Sequence, residues 1–308
     1  MKNSISSAMP KDLKVLMIGN SFSICVGKHL PAIVHAAPGC HLHLTSAYIG
    51  GCSLERHWEN ILAAQEDPAA EQYLISQWDS DDPSAEIRYY HNVPHLLQNH
   101  RYDIVTIQQS SPCSWDPATY QPYAGNLIGL IRRCNPDAEI VIQQTWAYRA
   151  DDPRFGNGED AWGFGQTEMA KRAADAYRKL AEQYAFRIIP AGDAVQIARL
   201  RDTMTYTPPQ PEALAALRYP DLPPQSGDVV GKDFWKKDPE TGEMILASDR
   251  IHLNDRGEYL QACVWFGILY GIAPDTIAYD QPDFGASYSR FLRECAQSAV
   301  ASYQQIQG

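Results

Sequence analysis

The chain predicts an α/β fold, a doubly wound and mostly parallel sheet of five strands, and three observations carry that prediction. Short apolar runs such as Val15-Leu16-Met17-Ile18 and Ile104-Val105-Thr106-Ile107 alternate with stretches of helical spacing. Each run stops abruptly in small or polar residues: Gly19-Asn20-Ser21, Gly50-Gly51, Gln108-Gln109, Gln143-Gln144. The connections lengthen after those stops, and the carboxyl edge of an open α/β sheet is where such folds keep their sites.

In order, the first strand ends at Gly19, and helical spacing over 23–37 follows, with Pro31 predicting a kink or short break. Alternation over 41–49 predicts a second strand, and Ser53 can cap a helix over 54–64. Segment 70–90 has two apolar pieces around Asp79-Ser80-Asp81-Asp82-Pro83; it reads as a hairpin, such as an insertion beside the sheet, or as the ends of two short helices. A short helix over 93–99 leads to the third core strand, within 102–109. A helix over 126–134 precedes the fourth strand, 138–143, and the long loop 148–165 follows. A helix over 167–184, a fifth strand at 186–189 and a helix over 194–200 come next. The proline-rich segment 202–238 reads as an irregular insertion, 241–246 as a short strand and 247–254 as a loop. Helices over 256–270 and 287–303 end the chain. All 308 residues are expected to form a single domain, with insertions near 70–90, 148–165 and 202–238.

A hydrophobic share of 44% argues against disorder. Net charge of −11 with no concentrated basic patch argues against a nucleic-acid partner. No stretch approaches a membrane span, and 1–12 lacks the apolar run of a signal peptide. A cytoplasmic location is therefore favoured over a secreted or periplasmic mature form. The seven cysteines (25, 40, 52, 113, 134, 263, 295) include no Cys-x-x-Cys and read as reduced thiols. His41 and His43 share a strand face but lack a third ligand in register, so no metal and no cofactor is expected.

Ser21 stands where a nucleophile, an anion-binding hydroxyl or a plain helix cap would stand. The strongest chemical signal lies far downstream, at Asp249-Arg250-Ile251-His252. A carboxylate three residues before an imidazole can fold back to accept its Nδ1 proton. That leaves Nε2 free to take a proton from an attacking hydroxyl. An oxyanion would need donors already aimed at it. Candidates are the amides of Ser21 and Gly51 and one side-chain amide, from Gln109 or Gln108; alternation lets only one of the two serve.

These blocks resemble the SGNH (GDSL-like) hydrolases, within them a bacterial branch with Gly-Asn-Ser-Phe in place of Gly-Asp-Ser. The matches are Gly19-Asn20-Ser21-Phe22-Ser23, Gly50-Gly51-Cys52-Ser53-Leu54-Glu55-Arg56-His57-Trp58 and Asp249-Arg250-Ile251-His252. The resemblance implies a three-layer, flavodoxin-like fold and a serine esterase. Ser21 would be the nucleophile, His252 the base and Asp249 its orienter, with the Ser21 and Gly51 amides as oxyanion donors. The asparagine the family carries after its third core strand is missing here; Gln108-Gln109 stands in its place.

His57, Trp115, Trp146 and Tyr148 are candidates for lining the substrate pocket, each with helix-securing or loop-packing as its structural alternative. Loop aromatics and the resemblance favour a small acyl group, acetyl above all, esterified to a carbohydrate. A non-catalytic carbohydrate- or protein-binding module on the same fold is the alternative. A phosphate or nucleotide binder using the Ser21 turn fits less well, because that turn has one glycine and its nearest downstream lysine is Lys28.

Overall fold

The structure is a computed structural model and describes residues 11–307. Strand β1 (Lys11–Gly19) leads into a one-turn helix α1 (Ser21–Ile24), a 3-10 turn (Cys25–Lys28) and α2 (Leu30–His35). Pro31 falls in the first turn of α2, where its missing N–H costs nothing, so the predicted break comes just ahead of it. Then come β2 (Cys40–Tyr48), α3 (Leu54–Glu66), β3 (Tyr73–Asp79), β4 (Asp82–His91), α4 (Val93–Asn99) and β5 (Ile104–Ile107). The next elements are α5 (Tyr123–Cys134), β6 (Glu139–Gln143), α6 (Gln166–Tyr184), β7 (Arg187–Ile189), α7 (Ala191–Arg201) and α8 (Pro211–Ala216). The last are β8 (Val230–Lys237), β9 (Met244–Leu253), α9 (Asp255–Tyr270) and α10 (Gly285–Gln307).

The central sheet runs β4-β3-β2-β1-β5-β6-β7 and is flanked by helices. It corrects the sequence reading: seven strands rather than five, and mixed rather than mostly parallel. The extra strands are the 70–90 segment, which pairs antiparallel with β2 and with itself. Pairings from β2 through β1, β5 and β6 to β7 are all parallel. Val15 to Ile18 in the centre are at most 1% exposed, as a strand covered on both faces requires. On the outside, β4 tolerates Pro83 because an edge strand has N–H groups without ladder partners. Helix α9 is buried almost all round, between the sheet side and α10, which explains its apolar sequence on every face.

The second correction concerns 202–254. Segment 230–237 is strand β8, not irregular chain, and the expected loop 247–254 belongs to β9, its antiparallel partner. Asp249 and His252 therefore sit on a β-ribbon. Among the described residues no helix is long and apolar enough to cross a membrane. All seven cysteines are free.

Candidate active site at the carboxyl edge of the sheet

Ser21 is the first residue of α1, placed there by its two predecessors. Gly19 closes β1 where a Cβ would fall 2.3 Å from Ser23 Oγ, so any side chain there would displace that hydroxyl from its bond to the Asn20 carbonyl. Asn20 caps the helix in extended conformation, its Oδ1 accepting from the Phe22 amide at 3.0 Å. The same Oδ1 accepts from Gln108 Nε2 at 2.6 Å, and Asn20 Nδ2 donates to the Cys52 carbonyl at 2.9 Å. One buried side chain thus ties the end of β1 to the ends of β5 and of the Gly50–Cys52 loop. Asn20 was not singled out from the sequence, although an asparagine between a strand-ending glycine and a helix start is the available signal.

From the ribbon, His252 brings Nε2 to 2.9 Å from Ser21 Oγ, and its Nδ1 lies 2.8 Å from Asp249 Oδ2. An ionised carboxylate only accepts, so Nδ1 carries the proton and Nε2 is left as acceptor for the serine hydroxyl. Asp249 Oδ1 also accepts from the backbone amides of Ile251 at 2.9 Å and His252 at 3.0 Å. Burial pushes this carboxyl up, but the His252 ring and the two amides outweigh burial and hold it well below the usual carboxylate range. His252 keeps 42% of its side chain exposed, so the Ser21–His252 contact opens to solvent.

Gly51 has φ +61°, and a Cβ there would meet nothing within 4 Å. Neither its amide nor that of Ser21 finds an acceptor among the described residues. The glutamines behave otherwise. Gln109 spends its Nε2 on the Thr119 carbonyl and hydroxyl, and its Oε1 on the amides of Leu54 and Ser110. It secures loops and has no hydrogen left to aim at a substrate. Gln108 gives a hydrogen to Asn20 and is 2% exposed.

Of the four rings expected to line a pocket, three are buried and Trp115 is partly buried. His57 is fully buried, stacked on Tyr73 and within 3.0 Å of its hydroxyl, and burial lowers its pKa to about 3. Trp146 is 1% exposed beneath Phe22. Tyr148 is fully buried with its hydroxyl 2.7 Å from Ser111 Oγ, and Trp115 packs against Trp162 and Phe164. Long loops bury their own aromatics by packing on one another, which spacing along the chain does not reveal. Among the described residues no cluster of three or more His, Cys, Asp or Glu is placed to hold a metal ion; His41 and His43 lie against Asp81 and Asp79.

Fold and geometry together define an α/β protein with a serine, a histidine and an aspartate in one hydrogen-bonded line at the carboxyl edge of its sheet. The family model described as "Domain of unknown function (DUF4886)" matches residues 14–206, and the chain belongs to that family. The matched segment includes Ser21 and Gly51; the ribbon carrying Asp249 and His252 lies beyond it. A crystal structure of a DUF4886 family protein from Bacteroides uniformis is similar at 25% identity, with a TM-score of 0.72 over 94% of this chain and 95% of that one. A putative GDSL-like lipase from Parabacteroides merdae is similar at 12% identity and a TM-score of 0.45, over 84% of this chain and 95% of that one. A member of the lipolytic G-D-S-L family from Veillonella parvula matches at 11% identity and a TM-score of 0.40, over 84% and 99%. Among curated proteins none matches the chain.

Proposed function

We propose that the protein is a serine hydrolase acting on carboxylic esters of small acyl groups, acetyl foremost, borne on a carbohydrate. The observation that supports this reading is the continuous line Asp249–His252–Ser21, with 2.8 Å and 2.9 Å separations across 231 residues of sequence. A helix cap alone would not need an imidazole on its hydroxyl.

In the reaction, Ser21 Oγ attacks the ester carbonyl while His252 Nε2 takes its proton and Asp249 stabilises the imidazolium. The carbonyl oxygen gathers negative charge against the amides of Ser21 and Gly51. Collapse breaks the carbon–oxygen bond to the alcohol, which leaves with the proton from His252, and Ser21 keeps the acyl group. Water then attacks the acyl carbon, giving one proton to His252. The bond to Ser21 breaks, the acid departs, and the proton returns to Ser21 Oγ. No atom of this cycle requires a cofactor.

The test is hydrolysis of p-nitrophenyl acetate, butyrate and longer esters by wild type and Ser21→Ala. The expected result is a preference for acetate and a loss of several orders of magnitude in the variant. Equal rates for the two proteins would leave only a binding module on this fold.

A further inference from the structure

The two edges of the central sheet are built differently. An edge strand offers a row of N–H and C=O groups to any strand that arrives, and folds blunt it by shortness or by cover. β7 is blunted both ways: it has three residues, and Tyr303 of α10 takes the Ile188 amide at 2.9 Å. β4 runs for ten residues, Asp82–His91, and among the described residues the backbone of 83–90 has hydrogen-bond partners on β3 alone. Its safeguards, Pro83 and an irregular register opposite 77–79, lie ahead of Ile87. Beyond them Ile87 is 62% and Tyr90 57% exposed, two large side chains that the fold of one copy leaves in water.

The order of residues on β4 is complementary to itself. In an antiparallel pair related by a two-fold axis, residues opposite each other share a face, so each register is centred on one residue. Centred on Ile87, the register opposes Ile87 to Ile87 and Ala85 to Tyr89 on one face. On the other face Glu86 stands opposite Arg88 on both sides of the axis, and Ser84 opposite Tyr90. One face is then apolar across the seam, and the other alternates in charge. A shift by one residue sets Glu86 against Glu86 or Arg88 against Arg88 at the axis, where like charges repel. Within one copy Glu86 and Arg88 meet at 2.8 Å, but an ion pair in water contributes little. A second copy gives each charge a further partner. On β3 the residues opposite Ile87 and Arg88 are Gln77 and Ser76, so no charge across the ladder competes. Pro83 falls opposite His91 at the end of the seam, where its missing N–H forfeits at most one bond.

We infer that β4 joins two copies of this chain, in an antiparallel seam centred on Ile87 that continues the central sheet from one copy into the other. A second copy fits better than an unrelated strand, because the complement this edge requires, unlike charges on both sides of an isoleucine, is the edge's own sequence. The same patch is used by both copies, so the contact closes as a dimer. The short, covered β7 gives the sheet no second edge from which to grow. Nothing in this contact depends on the chemistry proposed at Ser21.

The test is sedimentation velocity of the full chain over a concentration series. One strand from each copy makes a small interface, so a monomer–dimer equilibrium with a micromolar Kd is expected. Ile87→Lys, at a side chain mostly in water, should raise that Kd at least about tenfold. Glu86→Arg alone and Arg88→Glu alone should each do the same, since each places like charges across the seam. An equimolar mixture of those two single variants should dimerise again, because every charge on one copy then meets its opposite on the other. The double variant, Glu86→Arg with Arg88→Glu, should associate like wild type. Rescue by mixing cannot arise from a folding defect, so the charge variants decide the matter even where one of them is less stable. A monomer at every concentration, an assembly larger than a dimer, or a dimer indifferent to Ile87→Lys would overturn the inference. So would single charge variants that pair with themselves as well as with each other.

Discussion

Trp146 donates its indole Nε1 to the carbonyl of Ile251 at 2.9 Å, while its ring lies stacked on Phe22 with centroids 4.2 Å apart. Phe22 follows Ser21 and Ile251 precedes His252, so one buried side chain sets the backbone beside each partner of the serine–imidazole contact. Trp146→Phe keeps a ring under Phe22 and removes the N–H. The Ile251 carbonyl then loses a partner, at a cost of about 1–3 kcal/mol. The expected outcome is a folded protein whose Ser21 reacts about tenfold more slowly with a fluorophosphonate, for a change near 1.4 kcal/mol in positioning. Unchanged labelling would show that the ribbon is placed by other contacts.

Asn20→Asp tests what the asparagine between Gly19 and Ser21 supplies. The carboxylate could still accept from Phe22 and Gln108, but it would turn an oxygen toward the Cys52 carbonyl where Nδ2 now donates. Two acceptors facing each other in a buried site should cost about 1–3 kcal/mol and loosen the loop that presents Gly51. Urea unfolding and kcat for p-nitrophenyl acetate should both fall, and a neutral result would mean that Cys52 finds another donor.

How much of this site could be read along the chain depends on how local each relationship is. The Asp249–His252 contact spans three residues, so spacing alone encodes it; Ser21 is marked by the apolar strand that stops at Gly19. Strand β8 escaped because prolines at 208, 209, 211, 220, 223 and 224 mask the alternation that follows, and the polar run Ser248-Asp249-Arg250 interrupts the apolar residues of its partner β9. Segment 70–90 read as a possible hairpin, yet only its register with β2 shows that it extends the sheet. The roles of Gln109, Trp146 and Tyr148 depend on which loops meet in space, and nothing in the order of residues states that.

Two glycines should respond differently to the same added methyl. At Gly51 a Cβ meets open space, so Gly51→Ala pays only for a left-handed backbone, about 1–2 kcal/mol, and keeps its amide. At Gly19 the methyl would collide with Ser23 Oγ at 2.3 Å and crowd Gln108 at 3.2 Å, displacing the turn that carries Ser21. Esterase activity should therefore survive Gly51→Ala within about tenfold and fall at least about a hundredfold in Gly19→Ala, since small misplacements cost that much. The reverse order would discard the assigned turn geometry.

The pH response of Asp249 has a definite sign. Its folded-state carboxyl lies below its unfolded value, so it stabilises the protein fully above that unfolded value, about 3.9, and the contribution fades as pH falls toward the lower folded one. The difference in Tm between wild type and Asp249→Asn should thus be flat through neutral pH and narrow only below about pH 4. Activity should drop by roughly three to four orders of magnitude in the same variant at neutral pH, because the amide no longer fixes the imidazole tautomer. A Tm difference that varies between pH 5 and 8 would assign the stabilisation to another group.

Arg149 carries the ribbon as a whole. It is 2% exposed, forks onto Asp151 at 2.6 Å and Asp233 at 3.1 Å, and lies 4.5 Å over the ring of Tyr206. Its backbone amide donates to the Arg250 carbonyl at 2.8 Å, so the loop after β6 grips both strands of the hairpin, β8 through Asp233 and β9 through Arg250. Arg149→Met keeps much of the stem but leaves Asp233 without its cation and Asp151 with Arg250 alone, which for a buried network costs about 3–5 kcal/mol. Arg149→Lys keeps the charge without the fork and should lose less. Hydrogen exchange should show 230–237 and 244–253 opening faster in the methionine variant, with fluorophosphonate labelling of Ser21 reduced in parallel. If the ribbon amides exchange at the wild-type rate, the network does not hold His252 over Ser21, and Trp146 and Asn254, whose Nδ2 donates to Asp228 and Gly231, must bear that load.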